Sequence, residues 1–373
     1  MCALLIVACA PSATRPPQPG RAEAPAKPTT ERRQSRAEPA SGVRSEMFLD
    51  GLQLPAALTF APDGRLFFVE VSAGRVRVAS GSSLQEQPVA TLPVQKASES
   101  GLLGLALDPA FTSNHYVYLY YSEADPGRPE RGLRNRVVRF VEREGEAVDF
   151  TPILDDLPIN EVGAMDAHQG GALIFGSDGK LYVTTGDTAH PELAQDWGSP
   201  VGKILRINPD GSVPSGNPVP GSRVYAMGLR NPWGLTVHPR TGQIYLSENG
   251  NKSHDEIELL RPGANYGWPI VEGSSVDPRF VNPVWDSGDA ADSRNGMTGL
   301  VIYDGPMFPE YEGSLLFCAF RTGKLRRVVL GGAELDQIVS QERLQPECRL
   351  GITAGPDGAI YTANIDKILR LTR

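Results

Sequence analysis

The stretch LIFGSDGKLYVTTGD (173–187) sets the fold. An apolar run enters Asp178-Gly179, and a second apolar run with an aromatic residue leaves it. Asp-Gly between apolar runs signals a hairpin, because both turn positions tolerate positive φ. The unit recurs as LTFAPDGRLFFVE (58–70), LALDPAFTSNHYVYLYYS (105–122), LTVHPRTGQIYLSEN (235–249) and ITAGPDGAIYTANID (352–366). One copy turns at Ser113-Asn114 and the others at Asp-Gly or Thr-Gly. A degenerate sixth copy is read at Gly313–Leu330, with GSLLFCAF and KLRRVVL as its paired strands. Repeats at this spacing, each with room for about four strands, predict propeller blades. The expected fold is therefore all-β: a six-bladed β-propeller of four-stranded antiparallel blades over residues 46–373. A pair of β-sandwiches, the competing architecture, would not repeat the unit. Helix is expected only as short turns, as at Glu192–Trp197.

Composition agrees with this reading. The 373 residues include 40 Gly and 32 Pro, too many breakers for a coiled coil or helical solenoid. There is no collagen period, and 40% apolar content supports a core. A net charge of −8 argues against a nucleic-acid partner. Residues 1–9, MCALLIVAC, form a short apolar run that reads as a signal segment with a lipobox-like end at Cys9, although no Lys or Arg precedes it. Residues 10–45 are rich in Pro and Ala and hold no aromatic residue, so they read as a disordered tether. Export to the periplasm, with a lipid anchor at the outer membrane, is the expectation. No C-x-x-C spacing occurs, and Cys318 and Cys348 are either a disulfide of an exported chain or two buried thiols.

Three loops carry polar residues that hairpins do not require. In Asp166-Ala167-His168-Gln169-Gly170-Gly171, a strand, turn and strand would return Asp187 to His168. A carboxylate beside an imidazole fixes its tautomer and raises its basicity, as a general base requires; a structural histidine is the plain alternative. In GLRNPWG (228–234), Arg230 and Asn231 either form a turn or present donors to a carboxylate or polarised carbonyl. ENGNKSHDE (248–256) and GANYGWP (263–269) are rich in oxygen donors, which suits a hard cation such as calcium or simply an Asx-rich loop.

With ESGLLGLALDPAF (99–111), HQGGALIFGSDGKLYVTTGD (168–187), GKILRINPDG (202–211), GLRNPWGL (228–235), DEIELLRPGANYGWP (255–269) and GPDGAIY (355–361), residues 46–372 resemble the soluble glucose and aldose-sugar dehydrogenases that use pyrroloquinoline quinone (PQQ), to which the L-sorbosone dehydrogenases are related. The resemblance implies a six-bladed propeller that binds PQQ and Ca²⁺. It implies oxidation of a sugar or alcohol, an aldose giving its lactone, with hydride passing to PQQ and the electrons then to a separate acceptor. His168 would be the general base and Asp187 its orienting carboxylate. Arg230 and Asn231 would lie near the quinone carbonyl, and Glu99 against the cofactor. Backbone oxygens of Gly250 and Asn251 would hold the cofactor's calcium, and Glu256 and Tyr266 a second, structural one. Arg321 matches a family cation for the PQQ carboxylates. Where the family often has R-x-R, this chain has Cys348 and Leu350, so Arg349 serves only with a one-residue slip. Glu347 would repel a tricarboxylate unless it turns away, and Ala167 replaces an acidic residue. The last-blade departures favour the alternative reading, a non-catalytic binding propeller that has lost the cofactor, and the change at Ala167 speaks against glucose as the substrate.

Overall fold

The computed structural model describes residues 42–95, 99–124, 133–157, 159–160, 167–288 and 295–373. The signal-like segment 1–9, most of the expected tether and Asp166 lie outside them.

Each recurring unit forms the two inner strands of a blade. The pairs are Pro55–Phe60 with Leu66–Glu70, Leu102–Leu107 with Tyr116–Ala124, and Gly170–Phe175 with Leu181–Thr185. They continue with Pro232–Val237 and Ile244–Glu248, then Gly351–Ala354 and Ile360–Ala363. Further antiparallel strands extend each pair outward, giving six sheets in blade order. The inner strands of all six blades line a central cavity of about 380 Å³. The N-terminal strand Arg44–Leu49 pairs with Ile368–Thr372 as the outer strand of blade 6, so the two ends of the chain complete one sheet. It begins slightly ahead of the expected domain start at residue 46.

The sixth copy was expected one strand too late. Leu315–Ala319 and Lys324–Gly331 pair, but as the second and third strands of blade 5. The first strand is Met297–Ile302, and residues 303–314, with a 3-10 turn at Pro309–Tyr311, replace the tight turn used elsewhere. Another 3-10 turn at Pro191–Gln195 overlaps the segment expected to be helical, Glu192–Trp197. A single α-helical turn, Phe111–Asn114, fills the longer loop of blade 2.

The repeat has a packing cause. The second-strand residues Phe67, Tyr118, Tyr120, Tyr245 and Phe317 are fully or almost fully buried between blades. Such side chains each contribute a few kcal/mol of burial. In blade 3, the Tyr182 hydroxyl donates to the turn residue Asp178 (3.1 Å), which also accepts from Arg206 Nε (2.9 Å) on the strand beside it. Blade 6 repeats this with Asp357, Tyr361 and Arg370 (3.0 and 2.9 Å). The Asp of the turn thus also latches the third strand.

Cys318, on the second strand of blade 5, is bridged to Cys348, just before blade 6 (Cα–Cα 4.7 Å), so the reading as two thiols is set aside. A loop of this size, 30 residues in sequence separation, is worth roughly 3.5 kcal/mol in the chain-entropy picture. A Cys318→Ala/Cys348→Ala variant is expected to melt several degrees below the parent in calorimetry, and reductant should then leave it unaffected.

Candidate active site at the end of the inner hairpins

In an antiparallel hairpin the start of the first strand and the end of the second lie at the same end. Glu99, His168, Arg230 and Arg349 all precede innermost strands. Asp187, Gly250 and Arg321 all follow second strands. The propeller therefore gathers these residues at one end of the central channel, opposite the Asp-Gly turns.

His168 Nδ1 lies 2.7 Å from Asp187 Oδ1. A carboxylate only accepts, so Nδ1 carries the proton and Nε2 is left as the basic nitrogen. The approach depends on Gly186, where a Cβ would sit 1.8 Å from His168 O. His168 itself has φ of 60°, a left-handed conformation costly for a side-chain-bearing residue. Its backbone N–H donates to Glu99 Oε2 (2.6 Å), which also accepts from Asn231 Nδ2 (3.1 Å). Glu99 and Asn231 thus tie blades 2, 3 and 4 together, and the Asn231 side-chain oxygen accepts from Gly170 N (3.3 Å).

Arg230 Nη1 donates to Asn249 O (2.9 Å) and Gly250 O (3.0 Å). Its backbone N–H and that of Asn231 both donate to Glu248 Oε1 (3.0 and 2.7 Å). Burial holds the Glu248 carboxyl well above the ordinary range. Gly250 is required, since a Cβ there would lie 1.8 Å from Ser253 O. Asn251 is exposed, and its N–H donates to Glu272 (3.2 Å). Asp255 accepts from Gly250 N (3.3 Å), Gly296 N (2.9 Å) and Asn295 N, and Asn295 O accepts from Arg321 N (3.0 Å). Arg321 is exposed, and Arg349 Nη1 donates to the neighbouring Phe320 O (2.6 Å), so both arginines reach the same rim. Glu347 turns to Lys367 (2.9 Å), whose hydrogen bond holds its carboxyl below the ordinary range.

Glu256 lies one strand away from Glu248 in direct register, with Glu258 next to it on the same face. Both are buried, and burial pushes Glu256 up to about 7 and Glu258 well above its usual range. Glu256 accepts from Gly273 N, whereas neither Glu258 oxygen has a hydrogen-bond partner. The Tyr266 hydroxyl donates to Leu259 O (2.8 Å) and accepts from Arg261 N (3.1 Å), so it is already engaged within its own loop and strand.

These donors fit the groups that the sequence implies. Of the two oxygens that the sequence implies, Gly250 O already faces a positive charge, Arg230 Nη1, beside Asn249 O, and oxygen-only donors are what calcium takes; the Asn251 contact is that of its N–H with Glu272. The unpartnered Glu258 beside Glu256 is buried acid that a cation would satisfy. Among the described residues, no three His, Cys, Asp or Glu side chains are arranged to hold a metal, so backbone oxygens or waters would have to complete a calcium shell here. Arg230, Arg321 and Arg349 supply positive charge for a tricarboxylate, and Glu347 is paired elsewhere.

Sequence reasoning missed three supports. Trp268 Nε1 donates to Asp187 Oδ2 (2.8 Å). Gln195 and Asn265 exchange amide hydrogen bonds (3.0 and 2.8 Å). Lys203, fully buried, donates through Nζ to Leu193 O (2.8 Å), Ala194 O (2.9 Å) and Val201 O (2.5 Å). A lysine within ILR-type strand sequence gave no local signal of this.

The profile of the Glucose / Sorbosone dehydrogenase family matches residues 52–372, and the chain belongs to that family. Aldose sugar dehydrogenase YliI of Escherichia coli is 26% identical over 86% of this chain and 89% of its own. Quinoprotein glucose dehydrogenase B of Acinetobacter calcoaceticus is 32% identical over 63% of this chain and 54% of its own. The PQQ-bound aldose sugar dehydrogenase of Streptomyces coelicolor superposes with a TM-score of 0.74 at 28% identity, covering 90% of this chain and 99% of that one.

Burial pushes the Lys203 ammonium down to about 7, well below its value in the unfolded chain. Between pH 7 and the ordinary lysine range the unfolded chain then binds more protons, so this group's contribution to stability rises with pH and is lost as pH falls through about 7. Lys203→Met removes the donor from three carbonyls and is expected to cost a few kcal/mol. The melting-temperature gap between parent and variant should widen from pH 7 to pH 9; a gap that narrows would contradict the lowering of Lys203 by burial.

Proposed function

We propose that the protein is a PQQ- and calcium-dependent dehydrogenase that oxidises the C1 hydroxyl of an aldose to the lactone. The observation that carries this reading is the His168–Asp187 pair at 2.7 Å, set at the channel end with Arg230. Asp187 holds Nδ1, and His168 Nε2 takes the proton of the sugar hydroxyl. Bound PQQ supplies the two-electron acceptor for the C1–H bond, and calcium the Lewis acid that polarises it. Arg230 stabilises negative charge developing beside it, from a position fixed by Glu248 and the 249–250 carbonyls. Arg321 and Arg349 bind the cofactor's carboxylates, and Glu99 and Asn231 position the loop that carries the base. Gly250 and Asn251 hold the cofactor's calcium through backbone oxygens, and Glu256 with the Tyr266 carbonyl a second ion. Export with a lipid anchor at Cys9 belongs to the same proposal, and the Cys318–Cys348 bridge suits an oxidising compartment.

The cofactor-free protein should gain several degrees of melting temperature on addition of PQQ with Ca²⁺, since a ligand of the folded state alone stabilises it. Loaded protein should then reduce a dye in an aldose-dependent manner. His168→Ala is expected to lose at least about 100-fold in kcat yet keep the PQQ-induced thermal shift. No thermal shift with PQQ would favour a binding propeller instead.

A further inference from the structure

We propose that Trp268 is a positioning residue that sets the orientation of the Asp187 carboxylate, and through it the basicity of His168; the inference rests on His168 being the base. Asp187 is 1% exposed, and its two oxygens have separate duties. Oδ1 meets His168 Nδ1 (2.7 Å) and Ala189 N (3.0 Å), and Oδ2 accepts from Trp268 Nε1 (2.8 Å). A carboxylate held by a different donor on each oxygen does not rotate between them. The indole N–H is a neutral donor, so it fixes the group without competing for its charge as a cation would.

Three contacts close a triangle around this point. Asp187 N donates to Arg230 O (2.7 Å), the Arg230 guanidinium carbon lies 5.6 Å from the Trp268 ring centroid, and Trp268 returns to Asp187. The indole therefore couples the base pair to the guanidinium, with cation–π attraction on one side and a hydrogen bond on the other. Trp268 is itself fixed at both ends. Its backbone N–H donates to Gly228 O (3.0 Å), and its backbone carbonyl accepts from Gln195 Nε2 (2.7 Å). The charged groups around the imidazole are Asp187 on its ring, Glu99 on its backbone N–H, and Arg230 at the third corner.

Without the indole N–H, Oδ2 is a buried carboxylate oxygen without its donor. The Asp187 charge is then less stabilised and attracts the imidazolium more strongly. In the loaded enzyme, Trp268→Phe is expected to lower kcat about tenfold with KM within about twofold. It should also move the acid limb of the kcat/KM profile up by about 0.5 pH unit. In an Asp187→Asn background the same substitution should add less than about twofold, because the residue acts through that carboxylate. In the cofactor-free protein, the low-field proton resonance of His168 Nδ1–H should move from its position in the parent in Trp268→Phe. That measurement needs no turnover, so it decides the positioning role even if no sugar is oxidised. Should Trp268→Phe fold poorly, benzothienylalanine at position 268 keeps the ring shape and removes only the N–H. An unmoved pH profile with an unchanged His168 proton, or a full tenfold loss in the Asp187→Asn background, overturns the proposal.

Discussion

Ring closure is the constraint on which everything else depends. The residues of the site come from the ends of inner hairpins in blades 2 to 6, so their spacing holds only if the circle is complete. The circle is completed by pairing Arg44–Leu49 with Ile368–Thr372. Arg370 is the centre of that seam: it reaches Glu46 on the incoming strand (3.3 Å) and Asp357 in the turn of its own blade (2.7 Å). Tyr361 beside it packs edge-on against Phe48 and Phe60, at 4.8 and 4.9 Å between centroids, which joins blade 6 to blade 1. The Cys318–Cys348 bridge then fixes blade 5 where blade 6 begins. Aromatic and ionic links thus gather at the seam between the first and last strands, and a covalent link secures the other flank of blade 6.

Blade 4 carries a cost that the other blades do not. Glu248, Glu256 and Glu258 are all buried on neighbouring strand positions, where ionised carboxylates repel one another and lose hydration. Glu248 offsets its share by accepting two backbone N–H groups, and so fixes Arg230 and Asn231. Glu256 accepts one, and Glu258 none. The acid that is best satisfied is the one that shapes the site, and the least satisfied is the one best suited to share a cation with Glu256.

Most of the fold was legible because its signal is local. Asp178-Gly179 followed by Tyr182 encodes a turn, a buried aromatic and its hydroxyl partner within a few residues. Blade 5 misled because its inner connection is long, so the only tight-looking pair there belonged one strand further out. The His168–Asp187 pair could be read because both residues flank one hairpin. Trp268 could not, since its partner Asp187 lies 81 residues away and on another blade. The third member of each turn latch, Arg206 or Arg370, was hidden for the same reason: its role appears only once the strand register is known.

The left-handed backbone at His168 shows what the surrounding polar groups are for. A residue with a side chain does not hold φ of 60° unless neighbouring structure over-determines it. Here Glu99 accepts from the His168 N–H, and Thr188 N donates to its carbonyl (3.3 Å). The next residue is held from blade 2: the Tyr120 hydroxyl donates to Gln169 O (2.9 Å), and Asn135 Nδ2 to Gln169 Oε1 (2.8 Å). Asn135 is braced in turn by Ser122 Oγ (2.6 Å). Tyr120, Ser122, Asn135 and Gln169 are buried, where leaving any one unpaired would cost more than the bond itself contributes. The strain at His168 is therefore offset by a network rooted in the adjacent blade. His168 is placed by the packing of blade 2 against blade 3 as much as by its own hairpin, which is why this constellation needs a closed propeller and could not be supported by an isolated sheet.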